Sequence, residues 1–270
     1  MELRDYIREH ADSIWGHKPV SSSLNVNNAI ALYSLNHLED FFDILDNSDS
    51  SFIINDIGKY YQAHNWYISS LERVFKHISR ARRYDNLRYV KKYSDKQKKI
   101  AKEYLNNRNF IDIDYISLIS YSKILLDRTT ALSSRFLNTN MIKTHSSFTD
   151  HRNKLKTNNQ KLDQLHQEYK EYIVKNTDWF EIPLLVLRDK YFMHIPETHM
   201  RHFGYSETNN DLEMTIFMIK NKQKEIDFSN INIINFSARR LALDMNNFLK
   251  WFGKIAYKIY KYKPPTGDDS

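Results

Sequence analysis

The stretch Ile116-Ser117-Leu118-Ile119-Ser120-Tyr121-Ser122-Lys123-Ile124-Leu125-Leu126, followed by Leu132, Phe136 and Leu137, decides the fold class. Apolar side chains fall nearly all round a 3.6-residue repeat, which predicts a long central helix starting at Asp112 or Asp114. Asp127 and Arg128 lie within it. Either they form an ion pair with each other or a neighbour, or one of them orients reactive groups elsewhere in the chain.

Both flanks are also helical in pattern. Leu3 to Ile14 reads as a short helix, and 26–46 as a longer one with Ala29, Leu32, Tyr33, Leu35, Leu38, Phe41, Phe42 and Leu45 at helical spacing. Asn55 or Asp56 caps a helix running through Tyr60, Tyr67, Leu71, Phe75 and Ile78. Ser94 with Gln97 has the spacing of a capping box and opens a helix to about Asn106. Residues 138–158 are polar, with a short helix at 147–155, and a further helix covers 159–175. Thr177 or Asp178 caps the next, with Pro183 near its first turn. After Pro196 we expect a loop, then a small hairpin in which Leu212–Ile219 turns at Asn221-Lys222 into Lys224–Phe228. An amphipathic helix at about 234–261 ends the ordered chain.

Composition agrees. Five glycines and five prolines in 270 residues are too few for a turn-rich sandwich or barrel. With 41% hydrophobic residues the chain can bury a sizeable core. The absence of cysteine excludes disulfides, thiolate metal sites and a Cys nucleophile. No apolar run approaches the ~18 residues of a membrane span, and the start carries no signal core, so a cytoplasmic protein without a membrane partner is expected. The organisation we expect is all-α: an N-terminal helical region (1–110) packed on a helical bundle (111–262), with a disordered tail at 263–270 and the hairpin before the last helix.

A formal charge of +7 favours anionic partners. It concentrates between Arg73 and Lys102, where twelve Arg and Lys residues face only Asp85 and Asp95. Tyr84, Tyr89 and Tyr93 are interleaved with them, the mixture by which proteins hold phosphates and stack bases. Arg82, Arg83, Lys91 and Lys92 are the candidate nucleic-acid-binding residues; the alternative is a solvated helix face.

The second candidate is Leu184-Leu185-Val186-Leu187-Arg188-Asp189-Lys190-Tyr191-Phe192-Met193-His194-Ile195-Pro196. Arg and His are costly to bury unless paired or used. A histidine titrates near neutral pH and transfers protons, while a guanidinium holds phosphate oxygens in a planar fork. RNA supplies its own nucleophile, the 2′-hydroxyl, so no metal or cofactor is required. One His does not readily supply both proton transfers, and a symmetric dimer would bring two copies together. On a regular helix a six-residue step leaves Arg188 and His194 about 120° apart and ~9 Å along the axis. They converge only if Pro196 distorts the last turn or a second subunit contributes. Arg4-Asp5-Tyr6-Ile7-Arg8-Glu9-His10 repeats the spacing, but at a charged terminus with no apolar run before it. His194, His199 and His202 with Glu197 form a histidine cluster, but Pro196 breaks the element and no metal-binding spacing results.

Arg188 to His194 resembles the Arg-x(4–6)-His motif of the HEPN superfamily, in which a polar residue often follows the Arg. The pattern of a long helix, a motif helix and a final amphipathic helix over about 112–262 is similar too. The resemblance implies a two-fold homodimer and a metal-independent endoribonuclease, of the abortive-infection or toxin kind, with RNA as partner and an antitoxin or regulatory protein as a further one. It makes Arg188 and His194 catalytic and Asp189 supporting. Because many HEPN domains are inactive, it also implies an alternative, a non-catalytic module that binds RNA or protein.

Overall fold

The computed structural model describes residues 58–87, 89–134, 136–137, 140–181, 183–184, 199–219 and 231–261. Among them are five α-helices and three strands. In chain order these are α1 (Gly58–Asp85), α2 (Asp95–Ser133), α3 (Phe148–Thr157), α4 (Gln164–Lys175), β1 (His199–Ser206), β2 (Asp211–Ile219), β3 (Ile231–Phe236) and α5 (Ala238–Lys261). A 3₁₀ turn, Asp178–Phe180, follows α4. The predominance of helix agrees with the sequence reading. The expected helices at 3–14 and 26–46, the turn at Asn221-Lys222, the strand at 224–228 and the tail lie outside the described residues.

Several boundaries differ from expectation. The helix expected at 159–175 starts at Gln164 behind its Asp163 cap, and the one expected from Thr177 or Asp178 opens as a 3₁₀ turn. The helix from Ser94 and the one from Asp112 are a single 39-residue α2. The polar run Asn106-Asn107-Arg108-Asn109 contains no Gly or Pro, and Asn107 donates its side-chain amide to the Glu103 carbonyl (2.8 Å) instead of breaking the helix. The segment at 199–206, expected as loop, is a strand. Residues 231–236, partly assigned to the last helix, form another. The sheet is antiparallel in the order β1-β2-β3. The β1–β2 connection turns through Asn210, whose φ of +46° asparagine tolerates better than most side chains.

The described chain forms two compact units. One comprises 58–68, 121–179 and 244–261. Its core is aromatic: Phe136 meets Tyr169 and Phe252 edge-on, Phe148 meets Phe248, and Tyr172 stacks on Trp251 with ring centres 3.7 Å apart. Such pairs add ~0.5–1.5 kcal/mol each beyond the area they bury. Two buried polar side chains are tied in by hydrogen bonds. His151 Nε2 lies 3.0 Å from the Tyr169 hydroxyl, and Arg152 donates to Thr177 Oγ1 (3.0 Å), the Val174 carbonyl and Asp178. Arg152 thereby fixes the turn that opens the 3₁₀ segment. Asp127 accepts from Lys123 (2.5 Å) and from the Phe148 amide (2.8 Å), so it serves as a neighbouring ion pair and a tether for α3.

The other unit comprises 69–120, 180–181, 183–184, 199–219 and 231–243. Phe203, Met214 and Phe236 make one row across the sheet. The Tyr115 ring packs edge-on against Phe203 and Phe236, and its hydroxyl donates to the Leu212 carbonyl. Leu212, Met214 and Ile216 are buried, alternating with Glu213 and Thr215 as a one-sided strand requires. Ser237 caps α5, accepting from Arg240 N (3.1 Å), and Asp211 accepts from both the Ser237 hydroxyl (2.5 Å) and Arg239 N (3.2 Å). Burial raises the pKa of the Asp211 carboxyl against these bonds.

Candidate nucleic-acid interface

Where α1 gives way to α2 the chain makes a basic corner. Arg82 and Arg83 occupy the last turn of α1, where cations complement the carbonyl end of the helix dipole. The connection is tight, with the Leu87 amide donating to Tyr84 O (2.9 Å) and Val90 to Leu87 O (3.0 Å), and Leu87 buried beneath. The capping box then starts α2: Ser94 N donates to Gln97 Oε1 (2.8 Å) and Gln97 N to Ser94 Oγ (3.4 Å). These local rules hold Lys91 and Lys92 between two helix ends.

The twelve cations are not equivalent. Arg73 donates to Asp114 (2.7 Å), whose other oxygen meets His77 Nε2 (2.8 Å). Burial lowers the His77 pKa, opposed by the Asp114 hydrogen bond and charge. Arg80 and Arg83 both reach Glu103 Oε1 at 3.2 Å. The Arg80 hydrogen bond in particular holds the Glu103 carboxyl below its usual range. Lys98 pairs with Asp95 (2.9 Å). By contrast Arg82, Lys91, Lys92, Lys96, Lys99 and Lys102 are exposed, with no ion pair to a carboxylate among the described residues. So of the four predicted binding residues Arg82, Lys91 and Lys92 stand as open charges, and Arg83 shares its guanidinium with Glu103.

The tyrosines divide in the same way. Tyr84 is taken up by Tyr104, with rings stacked at 4.5 Å and 14°. Tyr89 is 83% exposed in the connection, its ring face open to a planar partner. A phenol at that exposure gains little from folding, whereas a stacked base would cover it. The sequence reading missed Glu103 and Asp114 because both lie beyond the basic run, on the antiparallel stretch of α2.

Arg188, Asp189 and His194 lie outside the described residues. The approach to them is described: Phe180 and Leu184 are both buried. His202, of the histidine cluster, is exposed on β1, and no group of three metal-ligating side chains occurs among the described residues. No described helix is long and apolar enough to cross a membrane. The chain matches no protein-family model, no curated protein and no solved structure.

Proposed function

We propose that the protein binds single-stranded RNA through the α1–α2 corner. The observation that supports this reading is the set of exposed cations, Arg82, Lys91 and Lys92, in no ion pair with a described carboxylate, beside the exposed ring of Tyr89. Cations placed along a backbone neutralise phosphates, and an aromatic face accepts a base of any identity. RNA is favoured over DNA because the Arg188-to-His194 motif of the same chain suits chemistry that needs a 2′-hydroxyl. The test is the affinity of the full chain for a labelled single-stranded RNA, compared with an Arg82→Glu/Lys91→Glu/Lys92→Glu variant. A loss of about 100-fold, or roughly 2.8 kcal/mol, is expected. Equal affinities would remove the corner from the account.

The second reading is that the bound RNA is cleaved in a HEPN-like manner. Arg188 would stabilise the pentacoordinate phosphorane, His194 transfer protons and Asp189 orient the pair, with a homodimer supplying a second histidine and a regulatory partner or antitoxin restraining the activity. The Arg188-to-His194 motif is what supports this reading. In EDTA, wild type should produce fragments ending in a cyclic phosphate and His194→Ala none. RNA binding without turnover by wild type would leave a binding module.

A further inference from the structure

A groove of about 500 Å³ lies in the first unit between residues 140–145 and 154–160. Its two walls are joined. Asn158 ends α3 with its amide on the Leu155 carbonyl (3.3 Å) and donates its side-chain amide across to the Met141 carbonyl (3.1 Å). Gln160 N returns to Asn158 Oδ1 (2.8 Å), and Lys170 of α4 donates to the Asn158 carbonyl (2.5 Å). The groove is therefore shaped by bonds that leave most of its lining side chains available.

That lining is one-signed. Lys143, Lys154 and His145 contribute to it, and no described carboxylate does. Both lysines are exposed, in no ion pair with a described carboxylate. His145 Nε2 is buried without a hydrogen-bond partner among the described residues. Asn140, Asn159 and Gln160 add amides, while Met141, Ile142 and Leu155 supply apolar surface. Two ammonium groups with an idle imidazole nitrogen suit a compact, multiply charged anion with several acceptor oxygens. The volume lies within the roughly 300–1,000 Å³ range of small-molecule sites.

We propose that this groove binds a small phosphorylated molecule, its phosphate held by Lys143, Lys154 and His145 and its remainder lying on Met141, Ile142 and Leu155. The site is independent of the α1–α2 corner. Titration calorimetry of the full chain with inorganic phosphate and with ribose 5-phosphate tests it. Saturable binding of either is expected, and tighter binding of the sugar phosphate would assign part of the affinity to the apolar surface. Lys143→Glu/Lys154→Glu should weaken it by tenfold or more, a difference of about 1.4 kcal/mol or above. Lys143→Arg/Lys154→Arg should keep it, and Arg82→Glu/Lys91→Glu/Lys92→Glu should leave it unchanged, which separates this site from the RNA surface. Both lysines are exposed, so an unchanged far-UV spectrum is expected of the charge reversals. Failure of both probes to bind wild type, or equal binding by wild type and the double glutamate variant, would overturn the proposal. So would loss of RNA affinity in that variant with no binding of either small probe, which would assign the groove to RNA.

Discussion

Arg152 and Arg82 carry the same guanidinium under opposite conditions. Arg152 is 2% exposed in the first unit, and Thr177, the Val174 carbonyl and Asp178 surround it. Arg82 is exposed in the second unit, with no described carboxylate paired to it. A buried cation is tolerated only when its donors are met, so the contacts of Arg152 account for its presence. The contacts of Arg82 do not account for its presence, nor do those of Lys91 and Lys92. The contrast separates charges used in the fold from charges that the described fold does not use. Basic residues counted along a sequence do not make that distinction, since Arg73, Arg80 and Arg83 belong wholly or partly to the first class.

The largest effect is expected at Arg152. Arg152→Ala removes three bonds from the turn before the 3₁₀ segment, and a loss of about 3 kcal/mol in unfolding free energy is expected. Chemical denaturation checks this; a change below about 0.5 kcal/mol would mean the buried guanidinium is dispensable. Arg82→Glu/Lys91→Glu/Lys92→Glu should do the converse, weakening RNA binding while leaving the denaturation midpoint nearly unmoved.

A third test uses the buried histidines of the first unit. Burial lowers the pKa of both His64 and His151 to about 4. The fold keeps them neutral, whereas an unfolded imidazole gains its proton near pH 6.5. Their folded-state neutrality costs nothing above that pH and destabilises progressively as pH falls from 6.5 towards 4, by at most about 1.4 kcal/mol per pH unit for each group. His151→Gln retains a side chain that can bond Tyr169 and should flatten the fall in unfolding free energy over that window. An unchanged slope would contradict the burial argument. The smallest expected effect compares neighbours: Arg82→Ala should weaken RNA binding more than Arg83→Ala, by a few-fold, because Glu103 already draws on Arg83. Equal losses would show that the Glu103 pairing is open in the complex.

Legibility followed the range of the determining interaction. The Ser94/Gln97 capping box and the periodicities of α1, α3 and α5 depend on residues three or four apart, and they were readable. The β1 segment His199-Met200-Arg201-His202-Phe203-Gly204-Tyr205-Ser206 has a weak local strand signal, and pairing with β2 makes it extended. The break expected near Asn106 reflected the low helix propensity of asparagine, which packing and the Asn107 back-bond override. Among the candidate site residues, the exposure of Lys91 and Lys92 followed from the polar run that contains them. The pairing of Arg73 with a residue 41 positions away, and of Arg83 with one 20 away, lay beyond any local pattern.

In the proposed complex Arg82, Lys91 and Lys92 meet phosphates. The salt dependence of RNA binding, measured for wild type and for Arg82→Ala/Lys91→Ala/Lys92→Ala, tests it most directly. Each phosphate neutralised on a single strand contributes about −0.7 to the slope of log K against log salt. The account predicts a slope shallower by about 2 in the variant, with affinities converging at high salt. Parallel lines, with the variant as salt-sensitive as wild type, would contradict it and place the RNA elsewhere on the protein.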